Sequence, residues 1–353
     1  MAQSGSSATR QRITALEETI ESQPAAISEA IASNFETIRA AATLVAAARR
    51  VRLCGVGASW HAAMVGEHML RSIGVDARVT HAFDLATYPT SFDPGELLIV
   101  ISHRGGKTYS ARALQRAAHA GLKTAAIVGR GGSLSGADAT IETVDLERSS
   151  THTASFTASM AVLAAIAARC EPRSSMAPAV ASLQESVRTM LATRDTASEV
   201  AGVMTETDRR TLITGVYGNH AIARGGALAV KETAYLVVEG NHLEDGLHGG
   251  ILGLNPGDVL IQLAPEGPAD DRQADLAVVA NAIGLQRWKI GGAPDGARWH
   301  STLPSAPEII SPILTTIPLQ WLALECALQR GTNPDVFRRD DERFDAAFSS
   351  ISL

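Results

Sequence analysis

The chain has 353 residues, 45% hydrophobic and 4% aromatic, which is enough for two domains with cores of their own and excludes wholesale disorder. Thirty-one Lys and Arg against 37 Asp and Glu leave a net charge of −6, which argues against a general nucleic-acid binder but not against a local basic pocket. Cys54, Cys170 and Cys326 stand far apart without metal-ligand spacing and read as buried thiols in a reducing compartment.

Met1–Arg10 is polar and Ser-rich, with no apolar core of a secretory signal, and no run approaches the ~18–20 apolar residues of a membrane span. The expectation is a soluble, cytoplasmic protein. Residues 1–40 read as an N-terminal helical arm. Val51–Ser59 (VRLCGVGAS) is an apolar run that ends in a Gly-rich turn. There the glycines permit close backbone approach, and Ser59 either caps the next helix or donates to a phosphate oxygen. Leu97–Ile101 is a continuous apolar run, as expected of a strand covered on both faces. It leads into Ser102-His103-Arg104-Gly105-Gly106-Lys107-Thr108, which sets two hydroxyls, an imidazole, a guanidinium and an ammonium between strand and helix. A nucleotide P-loop needs a glycine where Ile101 stands, so the nucleotide reading fails and a monophosphate cradle survives beside a plain basic turn. Ser110–Ala120 has helical composition, Gly121 stops it, and Thr124–Val128 and Thr140–Val144 are further strands. Ser149–Thr153, with His152, either closes the same pocket or simply leads into the helix near Ala154.

Glu171–Ala179 reads as a linker and Val180–Val203 as helical; then the pattern returns. Thr211–Asn219 (TLITGVYGN) matches Val51–Ser59, Pro256–Ala264 matches Pro94–Ser102, and Gly284–Gly291 matches Gly121–Val128, at offsets of 160, 162 and 163 residues. So long a period means duplicated domains. Strand–helix alternation in each predicts two three-layer α/β/α sandwiches with parallel sheets. The domains are expected at residues 41–175 and 176–331 (the second including a linker helix), with a tail at 332–353. The second unit has Ala264 in place of Ser102, so a single anion site is expected. It offers Glu232 instead, a carboxylate in an otherwise small and apolar helix that either faces a cleft for general-base work or forms a surface pair with Lys231. His242, Glu244, Asp245 and His248 follow in a Gly-flanked segment read as a mobile loop. No compact ligand spacing fits a metal, and a loop histidine suits acid–base work better.

Residues 40–340 resemble the tandem sugar isomerase (SIS) family, in particular the isomerase half of glucosamine-6-phosphate synthase and its deaminase and deglycase relatives. The family turns CGTS and SQSGET fall on Val56–Ser59 and Ser102–Lys107. The resemblance therefore implies phosphate contacts from Ser59 and Ser102. His103, Arg104 and Lys107 stand at contact positions with changed identity, and either Thr108, one residue late, or Lys107 takes the place of the missing threonine. The segments EGALKLKE and ELKHGP fall on Gly225–Glu232 and Asp245–Gly250, which implies Glu232 as the base between C1 and C2 and His248 as the ring-opening or acid residue. In relatives that histidine reaches the neighbouring subunit's site, so a homodimer with shared sites is implied, acting on a sugar phosphate without cofactor. A family lysine is Ala229 here, the tail has no lysine, and there is neither a glutaminase domain nor a cysteine at position 2. Isomerisation, deamination or deglycation of an (amino)sugar 6-phosphate is therefore expected, and not nitrogen transfer from glutamine. A non-catalytic sugar-phosphate regulator is the alternative.

Overall fold

The computed structural model describes residues 14–106, 108–206 and 209–351; the polar N-terminal stretch and Lys107 lie outside it. Helices α1 (Ala15–Ser33) and α2 (Phe35–Ala47) lead into a first unit. That unit is β1 (Arg50–Cys54), α3 (Ala58–Arg71), β2 (Ala77–Val79), α4 (Ala82–Thr87), β3 (Glu96–Ser102), α5 (Thr108–His119), β4 (Lys123–Arg130), β5 (Ala139–Asp145) and α6 (Ala154–Cys170). Helices α7 (Met176–Leu191) and α8 (Arg194–Met204) connect it to the second. There follow β6 (Thr211–Gly215), α9 (Gly218–Ala234), β7 (Val238–His242), α10 (Leu243–His248), β8 (Val259–Leu263), α11 (Asp270–Ile283), β9 (Gln286–Ile290), β10 (Trp299–Ser301) and α12 (Ser311–Arg330), with α13 (Glu342–Ser349) in the tail.

The two sheets are copies. The first runs β2-β1-β3-β4-β5 and the second β7-β6-β8-β9-β10, every pair parallel, which is the doubly wound order expected of duplicated α/β units. The copying reaches single torsions. Gly57 precedes α3 with φ 59° and ψ −129°; Tyr217 precedes α9 with φ 53° and ψ −130°, a conformation that costs a side chain energy. A Cβ on Gly55 would stand 2.6 Å from the carbonyl carbon of Ser59, and one on Gly215 2.4 Å from the oxygen of Asn219. The turn requires glycine at both places.

One continuous apolar core joins the units. Buried side chains of α1, α6, α9 and α12 belong to it together with the inner faces of both sheets. The segment Glu308–Arg330, which includes α12, is long and apolar enough to cross a membrane, contrary to the expectation that no run comes near; 94% of its apolar window is buried inside the fold. Ser, Thr, Gln and Glu scattered along it hide its apolar length in the sequence.

Two further expectations change. Val180–Val203 is not one helix: α7 ends at Leu191, where the Thr193 hydroxyl donates to the Met190 carbonyl at 2.7 Å, and α8 begins again at Arg194. The segment after β7 is not a loop either. Nδ1 of His242 accepts the Glu244 N–H at 3.2 Å and caps α10, while Gly246 lets that helix lie against Thr214. The three cysteines are free; Cys54 and Cys326 are buried, and burial pushes both thiols up to about 12.

Candidate active site

A doubly wound sheet opens a crevice where strand order reverses, here between β1 and β3 at their carboxyl ends. A cavity of about 330 Å³ lies at that place. From the β1 turn come Gly57 and Ser59, and from the β3 turn Ser102, His103 and Arg104; Ser150 and His152 come from the loop before α6, and Glu232 from α9 of the second unit. The N-termini of α3 and α5 meet these turns, so their unpaired N–H groups and positive dipole ends favour an anion there. Ser59 lies inside the first turn of α3 and does not cap it, since the cap position is Gly57.

Thr108 begins α5 but does not line the cavity, and Lys107 lies outside the described residues. His248 also stands away from it. Its side chain is 78% exposed at the end of α10, with Nε2 3.4 Å from Glu244, which Arg272 grips in turn. A single chain thus assembles the serines, Arg104, His152 and Glu232, but not His248.

The sequence analysis missed the residue that organises the loop side. Glu147 is buried, and its two carboxylate oxygens accept the N–H groups of Thr153 at 3.0 Å and Ser155 at 2.6 Å, which caps α6. Burial pushes its carboxyl up, and those hydrogen bonds and Arg104 pull it back. Its main chain holds the opposite turn: its N–H donates to Nε2 of His103 at 3.0 Å, and its carbonyl accepts from Arg104 at 2.9 Å. His103 is consequently an acceptor, and burial together with Arg104 lowers its pKa to about 4, so it sits in the cavity wall as a neutral ring. The guanidinium of Arg104 is the cation that the described lining residues contribute.

The tail supplies a rim. Asp335 accepts the N–H groups of Ala15 and Leu16 at 3.0 and 2.9 Å, and its own carbonyl accepts the Ser150 N–H at 2.9 Å, which brings Phe337 to the cavity. Beside the cavity, the Thr151 hydroxyl donates to a carboxylate oxygen of Glu232 at 3.4 Å, a long contact between the two units. An anion-binding end, a carboxylate and a neutral imidazole thus face one small volume. That arrangement suits a phosphorylated small molecule whose far end reacts at a carboxylate. No group of three or more potential metal ligands occurs among the described residues.

Residues 44–169 match the SIS domain family. The first unit is thus similar to a SIS domain. With its second sheet in the same order, the whole has the fold of tandem SIS proteins. Among curated relatives it is similar to glutamine–fructose-6-phosphate aminotransferase (isomerizing) of Pyrococcus horikoshii, 30% identical over 329 residues that make up 89% of this chain and 54% of that protein. The chain therefore spans about half the length of that relative. Its fold is similar to that of the C-terminal domain of glucosamine-fructose-6-phosphate aminotransferase from Francisella tularensis (TM-score 0.82, 19% identity, 92% and 99% of the two chains). It is also similar to tagatose-6-phosphate ketose/aldose isomerase from Escherichia coli (TM-score 0.77, 20% identity, 92% and 95%).

Proposed function

We propose that the protein is a phosphosugar enzyme of the isomerase or deaminase type, acting on an aldose, ketose or amino-sugar 6-phosphate. The observation that carries this reading is that Ser59, Ser102 and Arg104 of the first unit line the same cavity as Glu232 of the second. The names of the relatives, two aminotransferases of fructose 6-phosphate and a ketose/aldose isomerase, agree with it.

The phosphate dianion sits on the α3 and α5 N-termini, held by the two serines and Arg104. This remote binding energy orients the open-chain sugar so that the carbon next to its carbonyl faces Glu232. Glu232 removes the proton from that carbon and returns it to the neighbouring carbonyl carbon, through an enediol, while the proton on the first carbon's own hydroxyl passes to the former carbonyl oxygen, so that the carbonyl moves by one carbon. In a homodimer, His248 of a second copy completes the site and opens cyclic substrate, which accounts for its exposure away from its own cavity. The reading sets the protein in the cytoplasm, where sugar phosphates are held. Incubation with fructose 6-phosphate, glucosamine 6-phosphate and fructosamine 6-phosphates, with product and ammonia followed, tests it. Turnover of one of them is expected; binding without any turnover points to a sugar-phosphate regulator instead.

A further inference from the structure

One hydroxyl of the phosphate cradle is unaccounted for. The resemblance puts its place at Thr108 or Lys107, but Thr108 does not line the cavity, and Lys107 carries an ammonium and lies outside the described residues. Ser110 does line the cavity. Helix α5 buries Ser110, Ala113, Leu114 and Ala117, the i, i+3, i+4 and i+7 positions of one face. The last three are apolar, and Ser110 stands at the N-terminal end of the stripe, where the face meets the cavity.

Ser110 is 1% exposed, and its Oγ has no hydrogen-bond partner among the described residues. By contrast, the buried hydroxyls of Thr157, Ser159 and Thr233 each donate to a carbonyl one turn back on their own helix. A hydroxyl kept from bulk water without a partner costs stability. Alanine, which stands one turn on at Ala113, would fill such a place without that cost. The position also has a direction. Ser110 belongs to the first turn of α5, whose free N–H groups favour an anion, and it shares the cavity wall with Ser102 and Arg104.

Resting on the phosphosugar reading above, we infer that Ser110 is a phosphate ligand in addition to Ser59 and Ser102, a binding residue whose hydroxyl gains its partner when a phosphate oxygen arrives. Its single χ1 torsion lets the hydroxyl turn to that oxygen while α5 stays in place. The bond is charge-assisted, since the acceptor is ionised. The cost that the free protein carries at Ser110 is released on binding, so affinity is gained at the expense of ligand-free stability.

The test measures affinity and stability together, because the two should move in opposite directions. Calorimetric binding of inorganic phosphate, fructose 6-phosphate and glucosamine 6-phosphate, and thermal unfolding without ligand, are compared between the intact protein, Ser110→Ala and Thr108→Ala. Ser110→Ala should weaken phosphate and the sugar phosphates alike by roughly tenfold or more, as for a lost hydrogen bond to a charged group. Its ligand-free thermal midpoint should stay level or rise. Parental affinities in Ser110→Ala overturn the inference, and so does a lowered ligand-free midpoint, which marks a structural hydrogen bond. Weakening of the sugar phosphates without phosphate sets Ser110 against the sugar, and a loss confined to Thr108→Ala returns the missing hydroxyl to that residue; both overturn it too. An intact protein that binds phosphate but neither sugar phosphate overturns the phosphosugar reading, with Ser110 then judged on phosphate alone. Binding of none overturns both.

Discussion

The backbone N–H of Glu147 donates to Nε2 of His103 at 3.0 Å across 44 residues of chain, while the Glu147 carboxylate caps α6. One residue thereby fixes the turn after β3 and the loop with Ser150 and His152 in register. Glu147→Gln keeps the shape but points an amide N–H₂ at one of two backbone N–H donors. A buried donor left without an acceptor costs about 1–3 kcal/mol of stability. On the proposed reading the groups displaced bind substrate rather than react, so KM for the phosphosugar should rise far more than kcat falls. Steady-state kinetics beside denaturant unfolding separates the two effects, and an unchanged KM contradicts this positioning role.

Ser102→Ala and Arg104→Ala should each weaken phosphosugar binding. Loss of a charge-assisted contact amounts to ~1.5–3 kcal/mol, roughly 10- to 150-fold. The Arg104 effect should shrink as salt is raised and the Ser102 effect much less, because Arg104 is exposed and Ser102 buried. Titrations at low and high ionic strength check both.

His248→Ala should slow cyclic sugars more than open-chain analogues. If each site draws His248 from a second copy, a mixture of inactive Glu232→Gln and His248→Ala subunits forms mixed dimers with one intact site each. Recovery of up to about a quarter of the parent activity is expected for random two-fold pairing. No recovery after subunit exchange contradicts the shared site.

Acid should destabilise the fold well above the carboxylate range. His61, His68 and His103 all have pKa values lowered to about 4, chiefly by burial. An unfolded histidine takes up a proton near pH 6.5, so the stability held by keeping these rings neutral is complete above that pH. It is lost as pH falls toward 4. Thermal midpoints should therefore drop between pH 7 and 5. The double variant His61→Gln, His68→Gln should show a shallower decline.

Local pattern carried most of the architecture. The paired runs Val51–Ser59 and Thr211–Asn219 announced two copies of one unit, and the sheets repeat the same strand order. The apolar run Leu97–Ile101 is buried throughout, as its composition required. What escaped was contact between distant segments. Glu147 is an isolated carboxylate in its sequence context, and its role depends on the start of α6 folding back over the end of β5. Asp335 meets Ala15 across 320 residues and carries Phe337 to the cavity, a closure that no periodicity encodes. The cap His242 makes on α10 was hidden because histidine is not a usual capping residue, so its segment resembled a glycine-bounded loop.

The central claim is that Glu232 is the base of a site whose phosphate end lies in the other unit. Proton–deuterium exchange at C2 of a bound sugar 6-phosphate, followed by NMR in D₂O for the parent and for Glu232→Gln, addresses it most directly. Glutamine keeps the shape of the site and removes only the base. The account predicts that exchange disappears in Glu232→Gln while phosphosugar affinity stays within a few-fold of the parent. Exchange at the parental rate in that variant would contradict it and leave the cavity a sugar-phosphate binding site without this chemistry.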